Sequence, residues 1–382
     1  MKVAIMTQPL HTNYGGTLQA YALQKVIVKL GHEPETINYR LNPKKPNILK
    51  VFFSKIKQLI VNGKLYYRFS SADIERISKE HLRFIKINIK YSHEINSISD
   101  LSSYFKKQAY SAVIVGSDQT WRPIYSPRIE SFFLDFLIQN NEILKISYAA
   151  SFGTDDWEFS EQQTINCGML LRDFHYVSVR EQSAITLCKE KFNVNAVHVL
   201  DPTLLLSRDE YFSLLKPYII NENKGKIFSY VLDENIKKNK IIDEVANFFN
   251  KDIFFTYPKA RRKKTFKIAD FSEYEFPSIE SWLASFESAS FVITDSFHGT
   301  VFAIIFNKPF ISIANEERGK ARFISLLNLF NLDDRLVSKV EDISPELLNS
   351  DIDYDVVNMK LAILKEQCMG NLEKALLALG NQ

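Results

Sequence analysis

Residues 1–31 read MKVAIMTQPLHTNYGGTLQAYALQKVIVKLG. The apolar run 3–6 has strand character, and turn residues lead from it into Asn13-Tyr14-Gly15-Gly16. From Leu18 onward apolar side chains recur at helical spacing: Leu18, Ala22, Val26 and Leu30 form one stripe, flanked by Tyr21, Leu23 and Ile27. Gly31 ends the helix, because a helix C-terminus favours the left-handed conformation that glycine adopts freely. Strand, glycine-containing loop and helix open a βαβ unit. Further strand candidates at Ala112–Val115, 146–149, Tyr176–Val179 and 196–200 stand mostly a helix apart, the pattern of a parallel sheet with helical crossovers.

After Asp201-Pro202-Thr203 the alternation starts afresh. A strand at 226–232, a helix through 241–249 and a strand at 253–256 lead to Ile279, Trp282, Leu283 and Phe286 on one helical face. A strand at Phe291–Thr294, a helix at 300–306 and a strand at Phe310–Ile313 follow, and the tail beyond residue 344 reads as helical. The expected division is an N-terminal α/β domain at 1–207, a C-terminal α/β domain at 208–335 and a helical segment at 336–382. Two domains also suit a chain of 382 residues, which exceeds one ordinary core.

Apolar residues at 46% and charged residues at 24% fit a folded globular protein. The 29 Phe and 17 Tyr require an aromatic core, with some Tyr left to line a polar cleft, as sugar binding would use them. A net charge of +3 argues against nucleic acid as a partner, since phosphate-backbone binders need a concentrated basic surface. Cys167, Cys188 and Cys368 are widely separated and odd in number, so they suggest neither a disulfide framework nor a metal site, and a reducing compartment is expected. The other histidines (His11, His32, His81, His93, His175 and His198) show no metal-ligand spacing and read as surface or packing residues. The chain runs straight into its first strand, and no apolar stretch approaches the ~18 residues of a membrane span. A cytoplasmic protein without a metal or cofactor is the expectation.

Ligands of open parallel sheets sit beyond the carboxyl ends of the strands, so the chemistry is sought at those junctions. Asn13-Tyr14-Gly15-Gly16 offers close backbone approach before a helix N-terminus, though it has neither GxGxxG spacing nor the lysine of a P-loop, and a plain turn is the alternative. Gly116-Ser117-Asp118-Gln119-Thr120-Trp121-Arg122 gathers polar planes and an indole at a strand end, a set suited to a sugar, or else a capping turn. Arg180, ending Ser178-Val179-Arg180, can take a carboxylate or phosphate bidentately, or simply pair with Glu181. Thr294-Asp295-Ser296-Phe297-His298-Gly299-Thr300 sets His298 at a helix N-terminus where amides and dipole attract phosphate and an imidazole can deliver a proton, with Ser296 and Thr300 as hydroxyl donors. The alternative is that Ser296 only caps the helix and His298 packs at its entry. Arg318, Lys320 and Arg322 stand close behind a strand, either to close over an anion or as a solvated turn. Basic segments at 50–57 and 261–264 are candidates for peripheral contact with an anionic membrane or a lipid-linked substrate, with ordinary solvation the commoner outcome.

With Tyr148-Ala149-Ala150-Ser151-Phe152-Gly153 and Asp201-Pro202-Thr203 added, these motifs in their order resemble the polysaccharide pyruvyl transferase family across about residues 1–330. The resemblance implies two facing Rossmann-like domains with parallel sheets, GT-B-like, phosphoenolpyruvate as donor and a sugar of a bacterial surface polysaccharide or its lipid-linked precursor as acceptor. The product is a pyruvyl ketal. On this reading the C-terminal domain is the donor side, where Arg180, Ser296, His298, Gly299, Thr300, Arg318, Lys320 and Arg322 bind. The N-terminal domain is the acceptor side, with Asn13, Tyr14, Gly15, Gly16, Ser117, Asp118, Gln119 and Trp121. His298 is the candidate acid, Arg180 the clamp and Asp118 the candidate base or a sugar-binding carboxylate. Family members tend to carry arginine and leucine immediately before the histidine matched to His298. Here Ser296 and Phe297 stand there, which leaves a donor cation to come from Arg180 or the loop at Arg318. The competing readings are a GT-B glycosyltransferase using a nucleotide sugar and a non-catalytic protein that binds a glycan or phosphosugar.

Overall fold

The computed structural model describes residues 1–41, 69–126, 128–138, 140, 142–215, 222–233, 235–260, 270–315 and 319–378. The basic segments at 50–57 and 261–264, and Arg318, lie outside the described residues. Among those described, no helix is long and apolar enough to cross a membrane.

Two parallel sheets form the frame. The first has strands β1 (Lys2–Met6), β2 (Glu33–Thr36), β3 (Ala112–Val115), β4 (Leu144–Ala150), β5 (Tyr176–Val179) and β6 (Val197–His198). The second has β7 (Ile227–Tyr230), β8 (Ile253–Phe254), β9 (Phe291–Thr294), β10 (Phe310–Ile313) and β11 (Leu336–Val337). The helices that matter here are α1 (Tyr14–Lys29), α2 (Lys79–Asn88), α3 (Gln182–Phe192), α4 (Ile236–Phe249), α5 (Ile279–Ser288), α6 (Phe297–Ile305), α7 (Lys320–Phe330) and α8 (Tyr354–Leu377). β3, β7, β9 and β10 are buried at every residue, which is why they read as apolar-rich runs, broken only by Ser229, Thr294 and Ser312, rather than as alternating ones. α1 begins at Tyr14, earlier than the apolar stripe indicates, because the Asn13 side chain caps it by accepting from the Gly16 N–H at 3.1 Å.

Strand order is β2-β1-β3-β4-β5-β6 in the first sheet and β11-β10-β9-β7-β8 in the second. Each order reverses once beside its first strand, between β1 and β3 and between β7 and β9. Such reversals splay successive connections to opposite faces and leave a crevice at the carboxyl edge. The loops at the two crevices face each other and enclose the site described below.

The principal apolar cluster runs through both halves. Tyr14, at the start of α1, stacks on Trp282 of α5 at 5.3 Å and donates its hydroxyl to the Pro277 carbonyl at 2.8 Å. The Tyr14 ring also packs on His81 of α2, with centroids 4.4 Å apart. The last helix, α8, returns to the first sheet, where Cys368 accepts from the Leu200 N–H at 3.4 Å. All three cysteines are free and buried.

Candidate active site

The β1 and β3 loops are locked by one amide. Gln19, fully buried on α1, donates to the Thr7 hydroxyl at 2.9 Å and accepts from the Ser117 N–H at 3.2 Å. Thr7 in turn donates to the Ser117 carbonyl at 3.0 Å. This sets Asp118 at the rim with a positive φ of 69°, a left-handed conformation that Asp tolerates better than bulkier residues. Across the cleft, Asp295 after β9 accepts from the N–H groups of Leu232 at 2.7 Å and Asp233 at 3.1 Å, and from the Lys238 ammonium at 2.6 Å. A buried carboxylate thereby ties the β7 and β9 loops together and aims the first turn of α6.

Four ionisable groups converge at this rim and below it. Arg180 Nη1 donates to Asp201 Oδ2 at 2.9 Å, and Arg180 Nη2 lies 3.6 Å from Asp118 Oδ1. His298 Nε2 is 3.6 Å from the same Asp201 oxygen, although His298 belongs to α6 and Asp201 follows β6. Ser117 donates its hydroxyl to Asp201 at 3.3 Å, and the Thr203 N–H and hydroxyl satisfy its other oxygen at 3.0 and 2.7 Å. Burial raises the Asp201 pKa, but His298, Arg180 and the Thr203 N–H outweigh it and hold the carboxyl well below the usual range. Burial likewise opposes the Arg180 cation, and Asp201, Asp118 and Glu181 overcome it, leaving its pKa above the ordinary value.

Arg322, from α7, brings a second guanidinium. Both arginines lie against the Phe297 ring, Arg180 at 4.6 Å and Arg322 at 5.7 Å from its centroid. Burial, with the Arg180 cation alongside, lowers Arg322 to about 10. Nε and Nη2 of Arg180 and Nε2 of His298 are buried without a hydrogen-bond partner. They lie, with Arg322 beside them, under a cleft of about 70 Å³ lined by Asn13, Asp118, Gln119, Ser296, His298 and Arg322, among others.

The close fit of the two halves uses glycine twice. A Cβ on Gly15 would fall 2.1 Å from His298 Nδ1, so the first turn of α1 is where the imidazole rests. Gly319, at φ 91°, passes so near Gly153 that a Cβ would lie 1.5 Å from the Gly153 carbonyl oxygen. That approach starts α7 against the first sheet and carries Arg322 to Arg180.

The residues read from sequence thus divide. Asn13, Asp118, Gln119, Ser296, His298 and Arg322 line the cleft, with Arg180 beneath it. Several others are corrected. Trp121 is fully buried, stacked on Phe133 at 5.1 Å with its indole N–H on the Phe132 carbonyl, so it is core and cannot cover a sugar. Tyr14 belongs to the core between the sheets. The space over Gly15 and Gly16 is taken by His298 and Asn13 rather than left for substrate. Ser117 is fully buried, its hydroxyl on Ala149 and Asp201. Gly299 packs against Thr294, and the Thr300 hydroxyl goes to Ser312 at 2.6 Å. Lys320 does not line the cleft. Ser296 does cap α6, through the Gly299 N–H at 3.4 Å, while also facing the cleft. Arg180 does not pair chiefly with Glu181, which accepts instead from the N–H groups of Phe152 and Gly153 and from the Ser151 hydroxyl. Asp201, Gln19 and the ring of Phe297 were given no role from sequence. A buried carboxylate or amide looks like any surface one in a string of letters.

The family profile of the polysaccharide pyruvyl transferases matches residues 13–317. Comparison with curated proteins finds no match. Among solved structures, the UDP-GlcNAc 2-epimerase of Neisseria meningitidis bound to UDP-GlcNAc aligns with a TM-score of 0.53 at 10% identity, covering 99% of each chain. The S. aureus MnaA–UDP co-structure aligns at 0.52 and 12% identity, covering 97% of this chain and 96% of its own. The UDP-GlcNAc 2-epimerase of Methanocaldococcus jannaschii aligns at 0.50 and 15% identity, covering 96% and 100%. At such identities these likenesses establish the fold, two parallel-sheet Rossmann-like domains in a GT-B-like pair. The chain belongs to the polysaccharide pyruvyl transferase family and is a transferase whose reaction is pyruvyl transfer to a polysaccharide or sugar.

Proposed function

We propose that this family member takes its pyruvyl group from phosphoenolpyruvate held between Arg180, Arg322 and His298, and delivers it as a ketal to two hydroxyls of one acceptor sugar. The observation that carries the reading is the set of buried Arg180 and His298 nitrogens that no protein acceptor meets within hydrogen-bond distance, the nearest carboxylate oxygens of Nη2 and Nε2 standing 3.6 Å away, beside a second buried guanidinium. An unsatisfied buried donor costs about 1–3 kcal/mol, and a cation more, so a site that keeps several is built for an anion.

In this scheme the guanidinium groups hold the donor carboxylate and phosphate. His298 passes a proton to the methylene carbon, the C=C electrons form the new C–H bond, and the central carbon becomes electrophilic. A first sugar hydroxyl adds to that carbon and gives its proton to Asp118. The C–O bond to phosphate then breaks, the second hydroxyl closes the ketal, and the protons released restore His298 and leave with hydrogen phosphate. Asp201 keeps the imidazole and Arg180 in one geometry, and Asn13 and Gln119 at the rim orient the acceptor.

Thermal unfolding with phosphoenolpyruvate beside a panel of nucleotide sugars tests the donor. A ligand at 100 times its Kd stabilises the native state by about 2.7 kcal/mol. The expected result is stabilisation by phosphoenolpyruvate, abolished in Arg180→Gln and smaller but still present in His298→Ala, with His298→Ala releasing no phosphate in the presence of acceptor. Stabilisation by nucleotide sugars alone would replace this reading with a glycosyltransferase.

A further inference from the structure

The cleft at His298 measures about 70 Å³, room for a reacting group but not for the saccharide that carries it. A far larger depression of about 900 Å³ opens next to it, at the carboxyl ends of β7 and β8. The two are adjacent along one strand end: Tyr230 and Val231 line the larger depression, and Leu232 lines the cleft. The volume of the larger depression is within the range of ligand pockets, and it opens at the carboxyl ends of strands, beside the reversal between β7 and β9.

Its lining has the chemistry of a sugar site. Phe255 follows β8 with 59% of its surface exposed, an apolar ring at the trough wall that no core packing requires. Asn239 and Asp243 stand one turn apart on α4 and face the same space, supplying a planar amide and a carboxylate at the spacing of one helical face. An aromatic ring takes the C–H face of a pyranose, and planar polar groups take its hydroxyls.

We propose that this trough holds the sugar chain of the acceptor, so that the C-terminal domain binds saccharide as well as donor. The inference rests on pyruvyl transfer to a glycan, and it moves the main acceptor contacts away from the N-terminal loops.

The test is direct binding, which needs no turnover. Wild type, Phe255→Ala, Asn239→Ala and His298→Ala are compared on an array of bacterial surface oligosaccharides, with UMP and UDP titrated in parallel. The expected result is oligosaccharide binding by wild type and His298→Ala, weakened about tenfold or more in Phe255→Ala and Asn239→Ala. The phosphoenolpyruvate-induced thermal shift stays intact in all trough variants. Phe255 and Asn239 are exposed, so both variants retain the fold. No oligosaccharide binding by wild type, binding unchanged in both trough variants, or UMP and UDP binding that is lost in Phe255→Ala would each overturn the proposal. A bound oligosaccharide that never acquires pyruvate from phosphoenolpyruvate would uphold the trough while refuting the donor assignment.

Discussion

Replacing Gly15 by alanine adds one methyl group, and the structure says where it goes. The new Cβ would stand 2.1 Å from His298 Nδ1 and 2.2 Å from its Cγ, against 3.4–4 Å for ordinary contact. The imidazole must give way by about 1.3 Å. Misplacing a reacting group by ~1 Å costs on the order of 100-fold in rate, or about 2.7 kcal/mol in the barrier. The backbone at residue 15 has no positive φ, and alanine in a helix is favoured over glycine by up to about 1 kcal/mol. The clash also reaches the His298 Cβ at 2.6 Å, which no side-chain rotation relieves, so α6 itself must shift at an overpacking cost of about 1–3 kcal/mol that outweighs the helix gain. Gly15→Ala should therefore lower the melting temperature as well as cut kcat/KM about 100-fold. The assay is acceptor-dependent phosphate release from phosphoenolpyruvate, with thermal melting on the same preparation. A kcat/KM within about threefold of wild type would refute the placement of His298 against α1 as the reactive one.

Asp201→Asn removes the one carboxylate hydrogen-bonded to the buried Arg180 cation, leaving Asp118 at 3.6 Å and Glu181 as its acidic neighbours, which should cost about 3–5 kcal/mol in urea unfolding. Arg180→Met in the same background should recover most of that loss, and a cost below about 1 kcal/mol for Asp201→Asn alone would disprove the pairing. Arg322→Met works in the opposite sense, since burial beside Arg180 lowers the Arg322 pKa to about 10 and so disfavours its charged form in the fold. The unliganded protein should be as stable as wild type or more so by up to about 2 kcal/mol, while the phosphoenolpyruvate-induced thermal shift disappears; a shift of wild-type size would remove Arg322 from the donor site. Burial, with His11 nearby, pushes His81 down to about 3 from an ordinary 6.5, and neither ring nitrogen has a hydrogen-bond partner. The unfolded chain takes up a proton near 6.5 that the fold refuses, so stability is full above that pH and falls by up to about 1.4 kcal/mol per unit below it. His81→Phe should flatten the fall by about 2 kcal/mol at pH 5, read from urea midpoints at pH 7.5 and 5; parallel curves would mean that His81 is protonated in the fold.

The strand cores and the glycine-ended first helix were legible in sequence because each rests on local pattern. Completely buried strands such as Ala112–Val115 are continuous apolar runs, and α1 repeats its apolar groups every turn. β2 was not legible, since Glu33-Pro34-Glu35-Thr36 pairs through its backbone and carries no apolar run. Asp118, Arg180 and His298, the candidates that the structure brings together, end strands or open helices, where chemistry collects. What the sequence hid was long-range: Trp121 and Tyr14 look the same whether they stack on a sugar or on Phe133 and Trp282. Asp201 lies 97 positions before His298, and only the meeting of the two sheets makes them neighbours.

The same long-range logic bears on the departure before His298, where Ser296 and Phe297 stand in place of the arginine and leucine usual in the family. An arginine at 296 would lose the short side chain with which Ser296 accepts from the Gly299 N–H, a cap worth about 1 kcal/mol to α6. Leucine at 297 would lose the aromatic face against which both guanidinium groups lie. The exchange is therefore coherent. In the proposed donor site the cation comes instead from α7, where Gly319 permits the approach to Gly153 that brings Arg322 in, and the Phe297 ring lies against both Arg322 and Arg180 despite their like charge. On this account Phe297→Leu alone weakens donor binding, because it frees two mutually repelling cations without adding a third. Ser296→Arg together with Phe297→Leu restores that binding, and only the paired substitution does so. If Phe297→Leu binds phosphoenolpyruvate as wild type does, the ring is packing and the compensation is not real.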